Sequence, residues 1–353
     1  MAGARHTASM RAAHYSAFRG PISIQNVADP VPPDDGVVIE VRASGLCRSD
    51  YHGWQGTDPD IVLPHVPGHE LAGVIAAIGK DVGGWSLGER VTLPFCCGCG
   101  MCDTCTAGQT QICDLHFQPG FTAFGSFAQH VAIPYAETNL VRLPDEVSDP
   151  VAAILGCRYV TAYRAVVDQG RATADEWVAV HGCGGVGLSA VQIAAALGAR
   201  VLAVDIDAGT LDLSRKLGAE LTLDTRGVDD VPGAIQEMTG GGAHVSLDAL
   251  GSPVCAVNSV LGLRKQGTHV QVGLLPGGAT PMPMDAVIGR ELEIFGSHGL
   301  AAERYPEVLE LVTSGRVDPS LLLGGELALD ELPAALMGMG NYGSGGVQVV
   351  TSF

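Results

Sequence analysis

Basic residues are scarce in this chain of 353 residues: 20 Lys and Arg stand against 38 Asp and Glu, a formal net charge of -18. An acidic surplus of that size repels phosphate backbones and anionic lipid, which argues against nucleic-acid and membrane-surface binding. Long hydrophobic runs are missing too. None approaches the roughly 20 apolar residues that span a bilayer. The opening MAGARHTAS lacks the apolar stretch of a signal peptide, so a cytoplasmic protein is expected. Charged residues make up only 16% and hydrophobic ones 46%, which excludes disorder and suffices for two compact domains. The 48 Gly and 20 Pro carry no G-x-y period, which excludes collagen and indicates many tight turns.

Ten cysteines are too few for a disulfide scaffold, yet six of them fall between Cys96 and Cys113. In a reducing compartment such crowding points to metal. Cys99-x2-Cys102-x2-Cys105-x7-Cys113 sets four thiolates within 15 residues, a spacing that wraps one loop around a tetrahedral zinc ion. Four sulfur ligands leave no open position, so this ion is expected to be structural. Cys96 and Cys97 keep the choice of the first ligand open. A second cluster, Cys47-Arg48-Ser49-Asp50-Tyr51-His52 with Gly68-His69-Glu70, gathers groups that bind metal or move protons. Beside a dinucleotide motif it suggests a catalytic zinc with an open position.

Short apolar runs at 37–41, 74–78, 90–93 and 127–131, set between turn residues, predict a small, mostly β domain. After Pro150 the pattern changes. Strands expected at 177–180, 201–204, 244–248, 268–272 and 292–295 alternate with helices, among them 186–197 and 209–217. That alternation predicts an α/β, doubly wound parallel sheet of the Rossmann type, because parallel strands need long crossovers. A helix at 306–314 and a strand at 346–350 end the chain, and pattern alone leaves open which domain they join. The first nine residues read as a loose extension.

Gly182-Cys183-Gly184-Gly185-Val186-Gly187 follows the 177–180 strand and opens the next helix, matching the G-x-G-x-x-G dinucleotide fingerprint. Glycines there allow a tight turn and bring a pyrophosphate close to backbone N–H groups at the positive end of the helix. Asp205, 18 positions after Gly187, is expected to hold the ribose hydroxyls and repel a 2'-phosphate, selecting NAD; Asp207 is its rival.

With these motifs in this order, the sequence resembles the zinc-dependent medium-chain alcohol dehydrogenases from Met10 to Val350. The resemblance implies a mostly β, GroES-like catalytic domain at 1–157, an NAD-binding Rossmann domain at 158–296, and a segment at 297–353 that returns to the catalytic domain. It implies two zinc ions per chain, with Cys47, His69 and Cys157 on the catalytic one. Spacing alone does not separate Cys157 from Cys183 or Cys255. It further implies that Asp50 orients His69, that Glu70 is a second carboxylate behind the metal, and that Arg48 pairs with the cofactor pyrophosphate. Ser49 and His52 would relay the alcohol proton, and Trp54 and Phe95 would line the substrate pocket.

The implied activity is interconversion of primary or secondary alcohols with aldehydes or ketones, using NAD, in a homotetramer or homodimer. The alternatives are a zinc-free quinone or enoyl reductase of the same fold, or a non-catalytic NAD- or zinc-binding protein. The last strand, Gly345-Gly346-Val347-Gln348, lacks the basic residue many relatives place near the cofactor phosphates. His181 and the doubled Cys96-Cys97 have no assigned role.

Overall fold

The computed structural model describes residues 9–275, 277–340 and 346–353. The expected N-terminal extension, apart from Ser9, and Gly345 lie outside the described residues. The first strands are β1 (Ser9–His14), β2 (Ser23–Ala28), β3 (Val37–Gly45), β4 (Glu70–Ile78), β5 (Arg90–Thr92), β6 (His130–Ile133) and β7 (Val141–Arg142). There follow β8 (Trp177–His181), β9 (Arg200–Asp205), β10 (Leu221–Asp224), β11 (Ala243–Asp248), β12 (Leu263–Gln271) and β13 (Glu293–Gly296). Strands β14 (Leu323–Ala328) and β15 (Val347–Ser352) come last. Two helices carry the sites, α1 (Arg48–Gln55) and α2 (Gly185–Ala196).

The first compact unit comprises the described part of Met1–Cys157, with Leu300–Glu307 and Leu323–Phe353. Its sheet runs β14-β15-β3-β4-β5-β7, and β6 also pairs with β3. Side chains two apart on a strand share a face. Val37, Ile39 and Val41 of β3 accordingly meet Leu71 and Ile75 of β4 and Val91 of β5 in one buried cluster. Val349 and Val350 of β15 pair with Gly45 and Ser44, beside the start of the Cys47 loop.

Arg158–Gly299 and Val308–Leu322 form the second unit. Its sheet runs β10-β9-β8-β11-β12-β13, with every neighbouring pair parallel. Counted from its own first strand this is the order 3-2-1-4-5-6, which places a dinucleotide beyond the strand ends where the winding reverses, between β8 and β11.

Several expectations need correction. The strand near 127–131 begins only at His130, because Ala128 makes an isolated bridge to Ala12 instead. A helical stretch, Asp149–Ile154, Val160–Tyr163 and two π-helical segments, Leu155–Tyr159 and Arg164–Gln169, runs through a region where no helix was expected. It is buried nearly all round, so it lacks the one-sided apolar period that reveals a helix in sequence. The tail does not return as a whole: residues 308–322 join the second unit. Arg316 Nη2 donates to Ala196 O at 2.9 Å, capping the carbonyl end of α2, and Gln192 Nε2 donates to Asp318 O at 2.8 Å. Among the described residues no helix is long and apolar enough to cross a membrane.

Candidate metal centres and dinucleotide site

Cys47 is the N-cap of α1, in extended conformation. The buried face of that helix presents Asp50, Gly53 and Trp54. Asp50 reaches back, accepting from Cys47 N at 3.0 Å and from Gly68 N at 3.1 Å. Its Oδ1 also lies 3.0 Å from His69 Nδ1. One carboxylate thus ties two chain segments to each other.

Gly68 must be glycine: its φ is +106°, and a Cβ would stand 2.6 Å from Phe127 N. That turn delivers His69 and Glu70 to the start of β4. Cys157 comes from the π-helical segment Leu155–Tyr159, a backbone irregularity frequent at functional sites. The preceding carbonyl, Gly156 O, accepts from Phe95 N at 2.9 Å.

The sulfurs of Cys47 and Cys157, a nitrogen of His69 and a carboxylate oxygen of Glu70 all lie within 4.8 Å of one another, on four buried residues. His69 Nε2 is buried without a hydrogen-bond partner. A donor atom of that kind is costly unless something binds it. With Nδ1–H given to Asp50, the lone pair of Nε2 is free for a metal, and two thiolates and an imidazole suit zinc. The residues fit the ion. A carboxylate oxygen of Glu70, which the resemblance places behind the metal, also lies within this set.

Phe95 packs with Cys47, Cys96 and Cys157 and lies edge-on to His69, its ring centroid 6.1 Å away. Phe121, which no motif marks, does the same at 5.2 Å. Trp54 does not join them. It sits in a separate core with Tyr15, Leu46 and Phe127, its Nε1 donating to Gly20 O at 2.8 Å. One helical turn past Asp50, it lies on the inward face of α1. Ser49 Oγ lies 3.8 Å from Cys47 Sγ. The His52 pKa is lowered by burial and then by the Arg48 charge, so the ring is neutral and can accept a proton near neutral pH. Arg48 Nη1 donates to Met339 O, and its guanidinium lies over the Tyr51 ring.

The second cluster is Cys99, Cys102, Cys105 and Cys113. Cys99 Sγ and Cys105 Sγ are 3.9 Å apart, and Cys102 Sγ and Cys113 Sγ 3.7 Å. Sulfurs tetrahedrally placed around zinc stand about 3.8 Å apart, and a disulfide needs about 2.05 Å. Backbone N–H groups point at these sulfurs, and the Cys105 N–H leads in drawing the Cys102 thiol down to about 6. Cys97 turns away to Pro94 O and Cys96 joins the other cluster, leaving Cys99 as the first donor.

In the second unit the fingerprint follows β8. Gly182 has φ +81°, and a Cβ on Gly187 would stand 2.0 Å from Gly182 O, so the turn closes only with glycine there. A Cβ on Gly184 would meet nothing, leaving open space beside the start of α2 that a phosphate can fill. Asp205 ends β9 and accepts from Cys183 N at 2.6 Å, joining the acidic residue to the turn. Its other oxygen accepts from Ile206 N and Asp207 N at 2.7 and 3.0 Å, while Asp207 caps the following helix, accepting from Thr210 N at 2.8 Å.

A buried Cys, His, Cys and Glu donor set together with a dinucleotide turn defines a metal-dependent nicotinamide oxidoreductase. Residues 33–145 match the alcohol dehydrogenase GroES-like domain and residues 185–314 the zinc-binding dehydrogenase domain. The chain is 35% identical to an alcohol dehydrogenase of Rhizobium meliloti over 88% of its length and 90% of that protein's. It is 33% identical to one of Geobacillus stearothermophilus over 87% of its length and 90% of that protein's. The benzyl alcohol dehydrogenase structure from Acinetobacter calcoaceticus superposes with a TM-score of 0.90 at 27% identity, covering 98% of this chain and all of that one. The chain belongs to the zinc-dependent medium-chain alcohol dehydrogenases. It is an enzyme that interconverts alcohols with aldehydes or ketones, using zinc and a nicotinamide dinucleotide.

Proposed function

We propose that the chain oxidises small or medium apolar alcohols with NAD in preference to NADP, at a centre held by Cys47, His69 and Cys157, and that a second, structural zinc sits on Cys99, Cys102, Cys105 and Cys113. The unpartnered, buried Nε2 of His69 is the observation that carries this reading. A zinc ion there supplies Lewis acidity that makes the substrate hydroxyl more acidic, and the dinucleotide supplies the hydride acceptor.

The protein's own residues do the rest. Asp50 holds His69 in the tautomer that leaves Nε2 bare. Ser49 Oγ, beside the Cys47 sulfur, takes the alcohol proton, and His52 passes it toward water. Phe95 and Phe121 keep water off the imidazole, favouring apolar over sugar-like substrates. Glu70 is a carboxylate donor available when substrate is absent. Asp205, at a strand end beside the fingerprint, favours ribose hydroxyls over a 2'-phosphate. A homotetramer or homodimer and a reducing cytoplasm, which keeps the ten cysteines out of disulfides, complete the proposal.

The test is a panel of alcohols with NAD and with NADP, followed by absorbance of the reduced cofactor, with zinc measured on the same preparation. Preference for NADP would overturn the cofactor choice. Full activity with fewer than two zinc ions per chain would overturn the metal count.

A further inference from the structure

Polar side chains of the second unit form a line of hydrogen bonds that finishes where β11 and β12 finish. Asp248 closes β11, Gln271 closes β12, and Asp248 has no exposed surface. Through Oδ2 the Asp248 carboxylate accepts from Gln271 Nε2 at 2.9 Å. Through Oδ1 it accepts from Leu250 N and Gly251 N at 2.9 and 3.0 Å. Gln271 Nε2 also donates to Gly273 O at 2.7 Å. The other end of that amide, Oε1, therefore faces His269 Nε2, 3.2 Å away, and this nitrogen carries the imidazole proton. Burial lowers the His269 pKa, which keeps the ring neutral and leaves Nδ1 to accept from Ser259 Oγ at 2.8 Å. Ser259 Oγ in turn accepts from Ser246 Oγ at 2.7 Å. Every donor along the line points toward Asp248, so the Gln271 amide cannot flip without setting two donors face to face at His269.

The line ties down two loops, 249–251 after β11 and 272–274 after β12. They approach so closely that a Cβ on Gly251 would stand 2.2 Å from Leu274 O, and one on Gly273 2.1 Å from Gly251 N. Leu250 also lies against the fingerprint, since a Cβ on Gly182 would stand 2.7 Å from its own Cβ. A Rossmann sheet is built of two mononucleotide halves. Asp205 on β9 marks the adenosine half, which leaves the half built on β11 and β12 to the nicotinamide. We propose that Asp248 and Gln271 are positioning residues for the nicotinamide half of the dinucleotide, holding the 249–251 and 272–274 loops in the arrangement that sets the ring for hydride transfer. The proposal rests on the fingerprint being the dinucleotide site. Transfer is sensitive to placement, and an error of about 1 Å costs about 100-fold in rate. ADP-ribose lacks the ring and reports the rest of the site.

The experiment compares zinc-loaded wild type, Gln271→Met and Asp248→Asn by calorimetric binding of NADH and of ADP-ribose, and by turnover of an alcohol with NAD. Gln271→Met keeps the length of the side chain and removes its hydrogen bonds. Asp248→Asn keeps an acceptor for Leu250 N and Gly251 N but turns an NH2 group toward Gln271 Nε2. Each variant is expected to bind NADH about tenfold more weakly and to turn over about 10- to 100-fold more slowly. ADP-ribose affinity should change less than about twofold in both. A brace that only supports the fold would instead weaken the two ligands together. Should Gln271→Met fail to fold, Asp248→Asn carries the same comparison. NADH affinity and turnover equal to wild type, or an equal loss for ADP-ribose, overturns the assignment. A wild type that binds no ADP-ribose refutes instead the dinucleotide reading of the fingerprint, and the assignment with it.

Discussion

His69 Nδ1 lies 3.0 Å from Asp50 Oδ1, and neither side chain has any exposed surface. That contact fixes which imidazole nitrogen faces the cysteine sulfurs. Asp50→Asn should keep the fold and weaken zinc binding about 10- to 100-fold, the usual cost of disturbing a partner behind a metal ligand. Zinc retained after dialysis against a graded chelator series, read beside circular dichroism, checks it. Retention equal to wild type would show that His69 needs no orienting partner.

Loss of one sulfur from the four-cysteine cluster should act on stability. Cys102→Ser is expected to lower zinc content by one ion per chain and to lower the melting temperature, since a structural ion contributes folding free energy directly. Elemental analysis with thermal melts is the measurement. Unchanged zinc content would remove Cys102 from the ligand set.

The relay residues should separate by position. Ser49→Ala is expected to cut turnover at least about 100-fold with zinc content unchanged. His52→Gln should cost about tenfold to a hundredfold, since water can replace an outer carrier. The His52 pKa lies below the ordinary 6.5, through burial and then Arg48, so the neutral acceptor form persists into mild acid. Removing it should flatten the acid limb of the rate profile for alcohol oxidation. Wild-type turnover in Ser49→Ala at neutral pH would take the hydroxyl out of the mechanism.

Asp205 is expected to have two tasks. Asp205→Gly should narrow the preference for NAD over NADP, and should also weaken both cofactors, because Asp205 accepts from Cys183 N within the fingerprint turn. Steady-state kinetics with the two cofactors test it. A preference unchanged by the substitution would move selection elsewhere.

Acid stability supplies a test of His181, which ends β8 buried, with Nε2 unpartnered. Burial, with His269 adding to it, pushes its pKa down from 6.5 to about 3. Between those values the unfolded chain holds a proton that the folded one does not, so stability is lost as pH falls below 6.5. His181→Gln should lessen that loss by up to about 1 kcal/mol per pH unit. Denaturant titrations of the metal-free protein at several acid pH values measure the slope. Equal slopes in both proteins would mean that His181 is solvated.

Much of this was legible in the sequence. The four-cysteine spacing, the glycine turn with Asp205 at its strand end, and the alternation of strands and helices are local patterns. Local patterns are what a sequence displays. The helix that carries Cys157 left no such trace, because it is buried nearly all round and has no polar face. Phe121 was invisible for another reason: it reaches His69 through the turn at Gly120, whose close approach to Gly68 is a tertiary fact.

Strand β15 has a consequence for the order in which the protein is made. Its Val349 and Val350 pair with Gly45 and Ser44 on the edge of β3 that β6 also uses, and Leu46 N donates to Gln348 O at 2.9 Å. A chain emerging from the ribosome has therefore synthesised β3, α1 and the whole parallel sheet before the partner for this edge exists. Until translation reaches residue 350, the segment leading into Cys47 lacks its neighbour. The metal centre is then finished only after the parallel sheet has been made, although Cys47 precedes every strand of that sheet in the chain.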